Sequence, residues 1–334
     1  MDKLNVESEL SQRAVDTIRM LAVDMVEKAK SGHPGMPCGA ADYAFVLWTK
    51  FLNYDAKSPC WPNRDRFVLS AGHGSTLLYS LLHLAGNPEM TMDELKSFRQ
   101  WGSKTPGHPE ADLATGVETT TGPLGQGFAN GIGMAIGAKM MAARFNRPGY
   151  DIIDHKIFGI VSDGDLMEGI SHEAASIAGH LGLGNLIYIY DDNQITIEGC
   201  TELTCSDNVE LRFKSYNWHV QQVDGHNRKE IMAALEAAVA ETSKPSIIIA
   251  KTCIAHGAPT KAGTRESHGE PLGQEEVAQM KKNLGWPVDN PFFVPEDVRQ
   301  LWAEVQSAKE TTRKQWEEMF KRWREEYPEL AKMW

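Results

Sequence analysis

Over residues 9–30, apolar side chains recur at helical spacing: Val15, Ile18, Leu21, Ala22, Met25 and Val26. That spacing predicts one amphipathic helix with Gly32 as its stop signal. Ser31-Gly32-His33-Pro34-Gly35 reads as a rigid turn, and residues 40–51 as helix again. A short apolar run, 67–70, predicts a strand. Ala71-Gly72-His73-Gly74-Ser75 follows it, and then a helix through Leu84. Residues 122–144, rich in Gly and Ala, predict a helix that can sit close to another backbone or a ligand. The pattern then continues as strand 156–162, helix 168–180, strand 185–190, strand 218–223, helix 229–241 and strand 246–251. Strands alternating with helices predict parallel pairing in an α/β fold. Near-continuous apolar runs such as 186–190 and 247–250 suit strands covered on both faces. From Pro295 onward the chain becomes highly charged. Trp302, Val305, Trp316, Phe320 and Trp323 fall on one helical period, which predicts a long amphipathic helix, or a helix pair, over 296–326. The aromatic stripe reads as a packing face. The predicted fold is therefore α/β, a three-layer open and mainly parallel sheet flanked by helices, over residues 1–290, with a helical extension at 291–334.

The formal net charge of −11 argues against a nucleic-acid partner, which requires a basic surface. A small anionic substrate stays open, provided that its site is locally positive or carries a metal. No apolar run reaches the roughly 18 residues of a membrane span, and residues 1–10 lack the apolar core of a signal peptide. The five cysteines show no disulfide framework, and Cys200 and Cys205 are spaced too loosely for a zinc knuckle. These features predict a cytoplasmic protein with reduced thiols.

The strongest chemical signal lies at two strand ends. Ile160-Val161-Ser162-Asp163-Gly164-Asp165 ends one predicted strand and turns into a helix, and Asp192-Asn193 ends the next. Adjacent parallel strands would set Asp163 and Asn193 side by side at their carboxyl ends, where open α/β sheets bind ligands. A carboxylate and an amide oxygen are hard ligands for Mg²⁺ or Ca²⁺, and Mg²⁺ readily shares its shell with a diphosphate. Gly164 would let backbone approach that diphosphate, at a helix N-terminus that favours anions. The carbonyl of Ile195 would complete the protein ligands. The alternative is that Asp163 and Asn193 are ordinary turn formers. The Asp-Gly…Asn arrangement resembles the thiamine-diphosphate enzyme fingerprint, with Ser162 where that pattern often has Gly.

Six further segments, in order along nearly the whole chain, resemble transketolases. They are Lys30-Ser31-Gly32-His33-Pro34-Gly35, Leu69-Ser70-Ala71-Gly72-His73-Gly74-Ser75, Lys104-Thr105-Pro106-Gly107-His108-Pro109-Glu110, Thr121-Gly122-Pro123-Leu124-Gly125-Gln126-Gly127, Asp165-Leu166-Met167-Glu168-Gly169-Ile170-Ser171-His172-Glu173-Ala174-Ala175 and Ser267-His268-Gly269. The resemblance implies thiamine diphosphate as cofactor, with Mg²⁺, which Ca²⁺ or Mn²⁺ could replace. It implies transfer of a two-carbon ketol unit between sugar phosphates, with the cofactor carrying the carbanion chemistry. His33, His73, His108 and His268 would line the channel and move protons, for which imidazole is suited near neutral pH. His73 and His268 would also touch the cofactor, and Gly122, Pro123 and Leu124 would hold its aminopyrimidine. Glu168 resembles a glutamate of a proton relay at a subunit interface; the alternative is a solvated acid at a helix N-terminus. His83, His155, His172, His180, His219, His226 and His256 read as core, surface or supporting residues.

A complete transketolase is considerably longer. The resemblance covers the diphosphate-binding half and stops near Trp334, leaving out the pyrimidine-binding domain. It implies half a site, completed by a C-terminal transketolase chain in a hetero-tetramer with two copies of each. An excised domain of a longer enzyme fits equally. Rival readings are a thiamine-dependent ketol transferase with other sugars, a non-catalytic cofactor-binding module, and a nicotinamide-binding protein. The last rests on Gly125-Gln126-Gly127 and Gly131-Ile132-Gly133, whose spacing is not that of a dinucleotide fingerprint.

Overall fold

The structure is a computed structural model and describes residues 4–334; residues 1–3, where the charged N-terminal segment begins, lie outside the described residues. Among the described residues seven strands follow in chain order: β1 (Arg66–Leu69), β2 (Ile157–Ser162), β3 (Leu186–Asp192), β4 (Ile195–Thr196), β5 (Gly199–Cys200), β6 (His219–Asp224) and β7 (Ser246–Lys251). Five of them form one sheet in the order β1-β2-β3-β7-β6, and every pair in it is parallel. The other two, β4 and β5, make a short antiparallel hairpin just beyond β3.

Successive side chains on a strand point to opposite faces, and the core divides accordingly. Phe67, Leu69, Phe158, Ile160, Ile187, Ile189 and Ile248 pack against helices Glu9–Ala29, Gly35–Val46, Ser75–Leu84 and Arg228–Ala240. Val68, Ile157, Val161, Tyr188, Tyr190, Ile247 and Ile249 pack against helices Gln126–Phe145 and Gly169–His180 on the other side. The result is the three-layer, parallel α/β architecture that the alternation predicts. Close approach has one clear marker at Gly159. A Cβ there would lie 2.1 Å from the Tyr188 ring, whose hydroxyl donates to the Gly127 and Phe128 carbonyls, each at 3.1 Å. Tyr188 thus ties the centre of the sheet to the start of helix Gln126–Phe145.

Two helix starts differ from the sequence expectation. Helix Gly35–Val46 begins inside the expected rigid turn rather than at residue 40. Its Pro37 sits in the first turn, where the missing N–H has no partner to lose. Helix Gln126–Phe145 begins later than residue 122, because Gly122 (φ 138°) and Gly125 (φ 78°) take left-handed backbone that ends the preceding loop. The short helices Met92–Lys96, Asp163–Met167 and Val209–Ser215 are too brief to leave a periodic signal.

The charged tail forms one helix, Glu296–Glu326, followed by Pro328–Met333. Its stripe docks on the body: Trp302 and Trp323 are buried, and Trp316 Nε1 donates to the Ile152 carbonyl at 2.9 Å. All five cysteines are free. Among the described residues no helix is long and apolar enough to cross a membrane.

Candidate active site

The carboxyl ends of β1, β2 and β3 carry His73, Asp163 and Asn193, and loops and a short helix carry the other predicted residues. His73 lies in a 3₁₀ turn just past β1, and His268 in the short helix Glu266–Gly269. His33 follows the first helix, which Lys30 closes in the left-handed conformation (φ 54°). His108 lies in the loop before Gly122. His33 is the centre of the group: its ring centroid is 5.4 Å from His73, 5.9 Å from His108 and 5.6 Å from His268. His73 and His268 stack at 5.0 Å. Burial pushes all four pKa values down, His33 to about 4, with neighbouring histidines and Arg99 opposing protonation of His33 further. The four rings are therefore neutral at pH 7, each with one nitrogen to donate and one to accept.

Arg99, which the sequence reading passed over, sets one tautomer. Its guanidinium donates to Ser31 Oγ at 2.7 Å and reaches His33 Nδ1 at 3.4 Å. A guanidinium only donates, so His33 Nδ1 accepts and the ring proton sits on Nε2. Arg99 is in left-handed backbone (φ 59°), and no local pattern announces such a residue.

The loop Thr121–Gly125 lies against this group. A Cβ on Gly122 would stand 3.2 Å from the His108 ring, and one on Gly72 would stand 2.6 Å from Gly122 N. The His73 turn and the Gly122 loop thus touch backbone to backbone. Leu124 covers Gly164, where a Cβ would meet its Cδ1 at 3.0 Å. Behind the loop, buried Asp165 holds four donors. Ser70 Oγ (3.0 Å) and Gly125 N (2.8 Å) bind one oxygen; Ser162 N (3.1 Å) and Ser162 Oγ (3.2 Å) bind the other. Asp165 therefore clamps the ends of β1 and β2 to the loop. A signal for it existed, since Ser162-x-x-Asp165 has capping-box spacing.

Asp163 and Asn193 follow adjacent strands, whose register pairs Ser162 with Asp191. Asp163 is only 5% exposed. Its Oδ1 accepts from the Tyr190 hydroxyl at 2.5 Å, and its Oδ2 is buried with no donor. Burial, and then the negative charges of Asp191 and Asp192, push its pKa up to about 7. Asn193 Nδ2 donates to Asp191 Oδ2 at 2.7 Å, and its Oδ1 accepts from Ile195 N at 3.0 Å. Tyr43 (3.2 Å) and Thr252 (2.7 Å) donate to Asp191 Oδ1, and burial pushes that carboxyl up to about 6. A cleft of about 290 Å³ opens beside Asp163, lined by Tyr190, Gln194, Arg212 and Lys251 among others; none of the four histidines borders it. Among the described residues no three or more His, Cys, Asp or Glu side chains gather as a metal site.

Glu168 stands apart from the histidines. It is exposed at the N-cap of helix Gly169–His180, beside the Gly122 loop, with its Cβ 3.0 Å from where a Gly125 Cβ would lie. Two of the histidines set aside in the sequence form a separate stack, His226 on His256 at 3.8 Å. His226 Nδ1 faces Asp42, and its Nε2 accepts from Cys253 N.

A parallel α/β sheet with a buried carboxylate at one strand end and a cluster of neutral histidines beside it defines a ligand-binding site at the carboxyl ends of the strands. The family model described as "Transketolase, thiamine diphosphate binding domain" matches residues 10–334, and the chain belongs to that family. It is 53% identical to the transketolase of Halalkalibacterium halodurans over 98% of this chain and 49% of that protein. It is 52% identical to transketolase 1 of Escherichia coli over 95% of this chain and 47% of that one. Among solved structures, the transketolase of Leishmania mexicana superposes with a TM-score of 0.94 at 43% identity. That of Pichia stipitis in complex with sedoheptulose 7-phosphate does so with 0.94 at 44%. Both alignments cover 97% of this chain and 48% of the other. The chain thus spans about half the length of the relatives it matches.

Proposed function

We propose that this chain forms the diphosphate-binding half of a transketolase site, and that with a pyrimidine-binding half it moves a two-carbon ketol unit from a ketose phosphate to an aldose phosphate. The convergence of His33, His73, His108 and His268 on one another beside the Gly122 loop carries this reading. Thiamine diphosphate, when bound, supplies the carbanion chemistry that no side chain can. The four imidazoles accept and return protons at the substrate's hydroxyl and carbonyl oxygens, and their neutrality at pH 7 leaves each ready in both directions. His33, with its proton on Nε2, donates from that atom. His73 and His268 would contact the cofactor. Gly122, Pro123 and Leu124 would hold its ring, and the Gly122 carbonyl would accept from its amino group.

The Asp163 oxygen that lacks a donor fits a divalent cation. Asp163, the Asn193 side-chain oxygen and the Ile195 carbonyl would hold Mg²⁺, or Ca²⁺ or Mn²⁺, which would offset the charge of the diphosphate. Gly164 would let backbone lie close to the diphosphate. The exposed carboxylate of Glu168 suits a proton relay to a second subunit; as a plain acid at a helix N-terminus it would contribute only to that helix.

The half-length match supports a partner. We assign residues 1–290 to the diphosphate-binding domain and 291–334 to the start of the connection. A separate C-terminal chain, two copies of each, would complete a cytoplasmic hetero-tetramer acting on sugar phosphates; a half carried on the same polypeptide would build the same site. The test is ketol transfer from xylulose 5-phosphate to ribose 5-phosphate with thiamine diphosphate and Mg²⁺. Activity only after mixing with a pyrimidine-half chain is the expected outcome. Full activity of this chain alone would refute the half-site reading. Cofactor binding without turnover would point to other sugars, and no cofactor binding would refute the function.

A further inference from the structure

We propose that Asp191 is a positioning residue that turns the Asn193 amide so that its oxygen, and not its amino group, faces the cation site. The inference rests on the reading of Asp163 and Asn193 as cation ligands given above.

An asparagine side chain has two ends of nearly equal size and opposite chemistry. Only the oxygen end can hold a cation, so the site requires a device that chooses the rotamer. Asp191 supplies it. A carboxylate accepts and does not donate, and its Oδ2 lies 2.7 Å from Asn193 Nδ2, so it selects the amino end. A second contact agrees: the Ile195 N–H, which only donates, lies 3.0 Å from Asn193 Oδ1. A carbonyl-type oxygen has two lone pairs, and this contact uses one.

Asp191 is itself held from behind. Thr252 Oγ1 at 2.7 Å and the Tyr43 hydroxyl at 3.2 Å both bind its Oδ1, leaving Oδ2 for Asn193. These anchors come from the residue after β7 and from helix Gly35–Val46, so the device is braced on two elements. Asp191 has no exposed surface and does not itself face a ligand. A carboxylate at the end of an apolar strand is costly to bury, and every donor around it serves to aim one neighbour.

The test exchanges the two side chains. In Asp191→Asn, residue 191 keeps its oxygen on Thr252 and Tyr43 and presents an amino group to Asn193. Asn193 then turns over and offers its own amino group to the cation. Mn²⁺ affinity of the chain mixed with a pyrimidine-half transketolase chain and thiamine diphosphate, read from the electron paramagnetic resonance of free Mn²⁺, is expected to fall about 10- to 100-fold, the usual effect of losing a supporting partner. The double variant Asp191→Asn/Asn193→Asp restores the pair with polarity reversed and returns an oxygen to the cation. Its Mn²⁺ affinity is expected to recover to within about tenfold of the parent. Should Asp191→Asn not fold, Thr252→Val removes one of the anchors, and a several-fold loss of affinity is expected. Unchanged affinity in the single variants, or no recovery in the double variant, overturns the proposal. So does a lowered melting temperature with affinity intact, which would make Asp191 merely structural. A parent that takes up no Mn²⁺ with thiamine diphosphate once the pyrimidine half is present overturns the cation reading, and the proposal with it, and is told apart because the parent itself fails.

Discussion

Replacing Asp165 by asparagine tests whether this residue is the clamp that joins strand ends to the Gly122 loop. The parent carboxylate accepts two backbone donors, Gly125 N on one oxygen and Ser162 N on the other, and a serine hydroxyl beside each. An amide has one oxygen, so whichever way it turns, one backbone N–H faces its amino group. The hydroxyls can rotate, whereas the backbone cannot. A buried N–H left without an acceptor costs about 1–3 kcal/mol, and the remaining bonds lose the assistance of a charge, which contributes roughly 1 kcal/mol more. Burial holds the Asp165 carboxyl above its ordinary range, so a neutral amide recovers part of that cost. The net destabilisation is about 2 kcal/mol, or roughly a 3 °C drop in melting temperature for a chain of this size. The assay is thermal unfolding by circular dichroism, paired with thiamine diphosphate titration. The released loop should also bind cofactor more weakly. A variant that melts within about a degree of the parent and binds cofactor equally well would refute the clamp.

Asp163 has a folded pKa of about 7, above its unfolded value of roughly 3.9, so the native state holds the extra proton between them. Without a cation, its contribution to stability is present in acid and lost as pH rises through about 7. Asp163→Asn should therefore gain on the parent from pH 5 to pH 7.5 in melting temperature, while Mg²⁺ with cofactor should bind the parent more tightly as pH rises. His33 shows the opposite linkage. Its folded pKa of about 4 lies below its ordinary value, so its contribution is present above roughly pH 6.5 and lost as pH falls toward 4. His33→Gln should flatten that acid limb in urea unfolding. Gly122→Ala forces a side chain onto φ 138° and against the His108 ring. It should cost about 1–3 kcal/mol and weaken cofactor binding, both measurable by titration calorimetry and melting.

Much of the sheet was legible because parallel strands buried on both faces read as plain apolar runs, and because helices between them hold one period. That Asp163 and Asn193 follow two paired parallel strands came from that alone. The meeting of four histidines did not: His33 and His268 are remote in sequence, and only the resemblance to transketolases joined them. Tyr190 and Asp191 were read as strand residues, and their roles depend on which face each takes at the strand's last turn. Arg99 stayed hidden because a left-handed arginine leaves no pattern. The late start of helix Gln126–Phe145 was missed because small residues look alike in a helix and in the loop before it.

The strand order has a consequence for synthesis. The partner of β1 is β2, made long after it, and the inner edge of β3 waits for β7 until Ser246 has left the ribosome. At roughly 5–20 residues per second, several seconds pass with an apolar strand edge unpaired. An unpaired edge is a template for aggregation, so a nascent chain paused between residues 192 and 246 is at its most vulnerable. Slower translation across that interval should lower soluble yield even though the finished sequence is unchanged.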